Sequence, residues 1–271
     1  MVASSMPETD LAHISVADFV ERFRTEMVPY SNTFSYFFAG LPLTEDDVKD
    51  YLGEPISAIP PVISGGIPKA SIILVPFLER ANGKNKRHRT AAPGSSEFIS
   101  IERPPENRAC THISYRTPQG AHLLFAIKDA ELAEYHHRFY QQVASLVESV
   151  LTDDVRGEYH VMLREELSAH VHGEVDDRSW HCKQALRHRG ANVQRDTKAF
   201  REYVLHSFVD TLTLYLHGIC CDIDVETGPR QLPSRFLRKR LVWMETVYPP
   251  PSGYAVFPEE RESRVKVESK P

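Results

Sequence analysis

The chain has 271 residues, enough for one large domain or two small ones around a substantial core. Its hydrophobic fraction of 41% and charged fraction of 25% are those of a globular protein, and a formal charge of −5 runs against general nucleic-acid binding. No stretch reaches the roughly 18–20 apolar residues of a membrane span, and residues 1–10 lack the basic and apolar regions of a secretory signal, so a soluble, cytoplasmic protein without membrane contact is expected.

In chain order, residues 1–14 read as a disordered N-terminus. Ser15, with Asp18 three positions on, caps a helix that Pro29 ends, and Thr44 followed by three acids caps a short helix stopped at Gly53. Residues 55–68 are rich in Pro and Gly and are expected to be irregular. Residues 70–78 read as one buried strand, followed by strands at 97–102, 111–116 and 122–127, the last two closing a hairpin over Thr117-Pro118-Gln119-Gly120. Together they suggest a small antiparallel sheet of about four strands. Between the first two lies a basic loop holding Lys84, Lys86, Arg87 and Arg89.

Asp129 is read as the cap of a helix whose apolar positions, from Leu132 to Val150, recur at three and four residues. Helical patterning resumes from Val155 to about His188 with a break near Gly173 or Asp176-Asp177. It continues from Thr197 to Ile219 and again from Ser234 to Val247. The expected class is therefore α+β: residues 15–128 with short helices and a small antiparallel sheet, residues 129–248 as a bundle of three to four helices packed on it, and 249–271 as an irregular, partly disordered tail.

Chemistry is sought first in two polar stripes. At about 100° per residue, Glu202, His206, Asp210, Thr213 and His217 share an arc of a helix that is otherwise apolar, and Glu166, His170 and Glu174 stack at i, i+4, i+8 on the preceding one. Imidazole and carboxylate from two facing helices suit a divalent metal such as iron, zinc or manganese, with Glu166, His170, His206, Asp210 and His217 as ligands. Against this, nine of the 13 histidines lie between His136 and His217, so chance i, i+4 pairs are easy, and no metal-binding signature of fixed spacing is present. The competing reading is a structural polar network or solvated stripes.

Other signals are blander. His136 is expected to be partly buried. Cys110, Cys182, Cys220 and Cys221 form no C-x-x-C pair and are expected to be reduced. Cys182 and His181 are sequence neighbours that point about 100° apart on a helix, so Cys182 is read as a free thiol without special role. Nucleophile elbow, S-x-x-K, kinase and glycine-rich phosphate-loop patterns are all missing. Asp222, Asp224 and Glu226 do not match a calcium loop and are expected to be exposed or to pair with the bases at 230–240.

Two function classes follow. The first is a binding or regulatory protein without a catalytic signature, meeting a protein partner through helix 234–247 or the basic loop 84–89. The second is a metal-dependent enzyme, a hydrolase or an iron oxygenase, with a His/carboxylate site in the helical half.

Overall fold

A computed structural model describes residues 13–81, 94, 96–188, 195–221, 228 and 230–257. The basic residues Lys84, Lys86, Arg87 and Arg89, and the acids Asp222, Asp224 and Glu226, lie outside the described residues. The class is α+β. The chain divides into two compact units, one taking residues up to 53 together with 68–138, the other 54–67 together with 139 onward. Among the described residues no helix is long and apolar enough to cross a membrane.

The first unit holds two sheets rather than one. Strands β1 (His13–Ser15), β6 (Glu97–Ser100), β5 (Phe77–Arg80) and β7 (Ala109–Cys110) pair antiparallel in that spatial order. The larger sheet runs β2 (Val28–Pro29), β3 (Phe34–Phe38), β4 (Ala70–Val75), β9 (Gly120–Ala126), β8 (His112–Thr117). Its central pairings β3–β4 and β4–β9 are parallel, while β8–β9 is the expected hairpin. The segment 70–78 is thus two strands. Pro76 has no N–H to give to a ladder, and the chain leaves one sheet for the other at that residue.

Helix α1 (Val16–Arg22) starts as its sequence indicates: the Ser15 hydroxyl accepts the Asp18 N–H at 3.1 Å. It stops at Arg22, with Pro29 lying in β2. Helix α2 (Glu45–Val48) carries a complete capping box from Thr44 and Asp47 and runs into a wider turn ending at Gly53. The helix expected to start at Asp129 begins at Leu132, and the Asp129 carboxylate meets Arg103 at 2.6 Å.

One face of the larger sheet is organised in rungs. Phe37, Ile73, Leu124 and Ile113 are register partners across four strands, and all four are buried together with Phe19 of α1 and Phe23 at its end. Two residues earlier on β3, β4 and β9, and so on the same face, the partners are Ser35, Ser71, His122 and Tyr115. The face that is fully apolar in one rung is polar in the next.

In the second unit, residues 55–68 are not irregular. They form α3 (Glu54–Ser57) and α4 (Pro61–Gly66). Pro61 sits in the first turn, where the missing N–H has no partner to lose. The Tyr140 hydroxyl holds the Pro55 carbonyl at 3.1 Å. The remaining helices are α5 (Leu132–Ser149), which crosses from the first unit, α6 (Asp153–Ser168), α7 (Asp177–His188), α8 (Lys198–Cys220) and α9 (Ser234–Val247). Part of the tail after residue 249 is packed in, since Ala255 and Phe257 are buried.

Leu124→Ala, in the apolar rung, costs about 2–5 kcal/mol of unfolding free energy. Ser114→Ala, exposed on the hairpin strand, changes it by less than about 0.5 kcal/mol. Urea denaturation of both variants measures the difference.

Candidate functional site

The two polar stripes do not meet at one point. Among the described residues, no three of Glu166, His170, His206, Asp210 and His217 bring ligand atoms within 4.8 Å of one another. The reason begins at the end of α6. That helix stops at Ser168, and His170 adopts a positive φ of 54°. The Val171 N–H then reaches back to the Glu166 carbonyl at 2.9 Å, the 6→1 bond of a Schellman ending. His170 is left exposed and off the stripe. Gly173 follows, where an added Cβ would lie 2.0 Å from the Gln231 carbonyl oxygen, so only glycine permits this approach. The approach sets Glu174 beside Gln231 in a short extended bridge rather than on a helix.

Glu166 and Glu174 are spent on a buried ion cluster. Their partner is Arg240 of α9, which is 0% exposed. Its Nε donates to Glu166 Oε1 at 3.1 Å and its Nη2 to Glu166 Oε2 at 2.5 Å. Nη2 also donates to Glu174 Oε1 at 3.0 Å, and Nη1 to Glu174 Oε2 at 2.8 Å and to the Ser207 hydroxyl at 2.9 Å. All five guanidinium N–H groups thus have acceptors. Lys183 adds bonds to Glu174 at 3.1 Å and to the Gly173 carbonyl at 2.7 Å, and the Tyr203 hydroxyl donates to the same carboxylate. Burial alone would push the Glu174 carboxyl up. Arg240 and Lys183 outweigh it and hold the group down at about 2. Two anions and two cations balance, as buried charges must. Arg240, which charge counting assigns to a surface helix, is therefore an interior residue.

The other candidates fall elsewhere. Asp210 is buried and accepts the Ser179 N–H at 3.1 Å. Burial, together with Asp176 and Glu174, outweighs that bond and lifts its carboxyl to about 7. His217 is half-buried with its ring 6.1 Å from that of Tyr140. His136 is buried, more fully than the partial burial expected of it, with Nε2 at 2.8 Å from the Asp50 carbonyl. Among the described residues, His206 is the one of the five that joins a cluster of ligand atoms, with Cys182 and Glu202.

The feature that sequence reading missed is in the first unit. A cleft of about 280 Å³ opens at the amino ends of β3, β4 and β9. Its floor is the polar rung: Ser35 and Ser71 share a hydrogen bond of 2.8 Å, and His122, 7% exposed, lies beside Ser71 in register. Nε2 of His122 is 3.4 Å from the Thr117 hydroxyl, while Nδ1 has no hydrogen-bond partner. Arg24 and Lys69 stand at the rim with Asn32, both cations exposed, and among the described residues no carboxylate lines the cleft. Gly120 closes the wall against Lys69, whose carbonyl oxygen would be 2.4 Å from an added Cβ. Burial lowers the His122 pKa, so the ring is neutral at neutral pH and can donate from one nitrogen. The signal that carried this information was the run Phe34–Phe38, an aromatic strand bounded by Asn32 and Gly40, which puts Ser35 opposite Ser71.

The chain matches no family model, no curated protein and no solved structure.

Two outcomes are expected in the helical unit. Arg240→Met leaves two buried carboxylates without their principal counter-ion and costs about 3–5 kcal/mol in denaturant unfolding. Asp210 behaves oppositely to a paired acid. Its folded-state pKa of about 7 lies above its ordinary value of 3.8, so its contribution to stability is present below about pH 4 and is lost as pH rises through 7. Asp210→Asn should therefore lose less stability than the parent chain between pH 5 and pH 8, by on the order of 2–3 kcal/mol in urea titrations at the two pH values.

Proposed function

We propose that the protein is a non-catalytic binding protein that holds a small oxyanion-bearing ligand, a phosphate or carboxylate compound, in the cleft at the amino ends of β3, β4 and β9. The observation that carries this reading is the combination of two rim cations with a nearly buried imidazole whose Nδ1 lacks a partner, in a cleft that no acid among the described residues lines. A buried polar atom without a partner is costly, by about 1–3 kcal/mol, and a ligand oxygen at that position would satisfy it. Arg24 and Lys69 would supply charge, and the Ser35 and Ser71 hydroxyls would orient the anion. The volume is near the small end of ligand pockets, about 300–1,000 Å³, which favours a compound the size of a sugar monophosphate. The self-contained pairing of Glu166, Glu174, Lys183 and Arg240 supports placing the ligand chemistry in this unit rather than in the polar interior of the helices.

Thermal melting of the full chain tests the reading. At ligand concentrations about 100 times Kd the folded state gains about 2.7 kcal/mol, which for a chain of this size raises Tm by roughly 5–10 °C. Ribose 5-phosphate should produce such a rise, ribose should not, and Arg24→Ala with Lys69→Ala should abolish it. No response to ribose 5-phosphate, inorganic phosphate or citrate would remove the proposal.

A further inference from the structure

We infer that Cys182, Glu202 and His206 form a zinc-binding site between α7 and α8, with a fourth coordination position open to water. The site shares no residue with the cleft and lies in the other unit, so the two proposals stand or fall separately.

Glu202 and His206 are one turn apart on α8 and so project from one face. Cys182 comes from α7. The thiol sulfur, an imidazole nitrogen and a carboxylate oxygen all lie within 4.8 Å of one another. In a tetrahedral zinc site with bonds of about 2.0–2.3 Å, ligand atoms stand about 3.3–3.8 Å apart. The ligand atoms would have to approach by no more than about 1.5 Å to reach that range, and all three side chains are half-buried or exposed.

The donor set selects the metal. A thiolate disfavours magnesium and calcium, and one sulfur with one nitrogen and one oxygen is a zinc-type combination. Thiolate and carboxylate together neutralise the dication. Glu148 and Asp210 are the other acids near the cluster, and the exposed Arg178 is the cation beside it. The thiol proton leaves to solvent as the metal–sulfur bond forms, so affinity rises with pH. Glu202 is exposed, which leaves one side of the site to water, the pattern of three protein ligands and an open position.

Cobalt reports on this geometry directly, because only a thiolate ligand gives a sulfur-to-cobalt charge-transfer band. The full chain, freed of metal by chelator and dialysis, is titrated with cobalt chloride, and zinc is then added. The expected result is a charge-transfer band that saturates at one equivalent and disappears when zinc displaces cobalt. It should be absent in Cys182→Ser, unchanged in Cys110→Ser, and weakened by at least about 100-fold in affinity in His206→Ala, more than loss of an outer partner of a ligand causes. A missing band, or one that survives in Cys182→Ser, overturns the assignment. If Cys182→Ser lacks the circular dichroism of the parent chain, Glu202→Gln decides. That residue is exposed, and an unchanged cobalt affinity there overturns the site as well.

Discussion

A guanidinium carried into the interior must find an acceptor for each of its five donors, and this constraint shapes the helical unit around Arg240. The acceptors come from separate places: Glu166 from α6, Glu174 from the extended segment after it, and Ser207 from α8. Lys183 of α7 and Tyr203 of α8 complete the coordination of Glu174. A displacement of any of these elements would strand a charge that costs several kcal/mol to leave unpaired. The cluster therefore selects one arrangement of α6, α7, α8 and α9 more than it adds net stability, since apolar residues of similar volume can replace such clusters with little loss. The Schellman ending at His170 and the glycine at 173 are what allow Glu174 to reach it.

The sheet unit follows a different rule. Its side chains alternate with a period of two, so a face is read rung by rung. The rung Phe37–Ile73–Leu124–Ile113 is sealed beneath α1, and the rung Ser35–Ser71–His122–Tyr115 is where the seal ends. A polar rung on a core face needs solvent or a ligand to satisfy it. The cleft supplies the space, and Arg24 and Lys69 supply a field of one sign. A polar cleft and an apolar core are in this way adjacent positions of the same strands.

Local features were legible in the sequence. Ser15 and Thr44 cap helices because a side-chain oxygen three residues from an N–H is a short-range geometry, and the limits of α9 follow from its own periodicity. What was not legible depended on distant partners. The parallel register of β3 on β4 joins residues 36 apart, and neither strand shows by itself that it is flanked in parallel. The apparent stripe Glu166–His170–Glu174 failed because periodicity does not register a left-handed residue that ends the helix. Arg240 looked like one of five surface bases because its carboxylates lie 66 and 74 positions away. Cys182 looked idle because its neighbours, Glu202 and His206, are on another helix.

In the proposed complex His122 is the residue that meets the ligand. Nitrogen-detected NMR of the imidazoles, as a function of pH with and without inorganic phosphate, tests it at the atom concerned. An anion held against Nδ1 favours the charged ring, so phosphate should raise the His122 pKa and move its Nδ1 resonance while leaving His217 unchanged. A His122 titration that is the same with and without phosphate would contradict the account, as would a phosphate response confined to the helical unit.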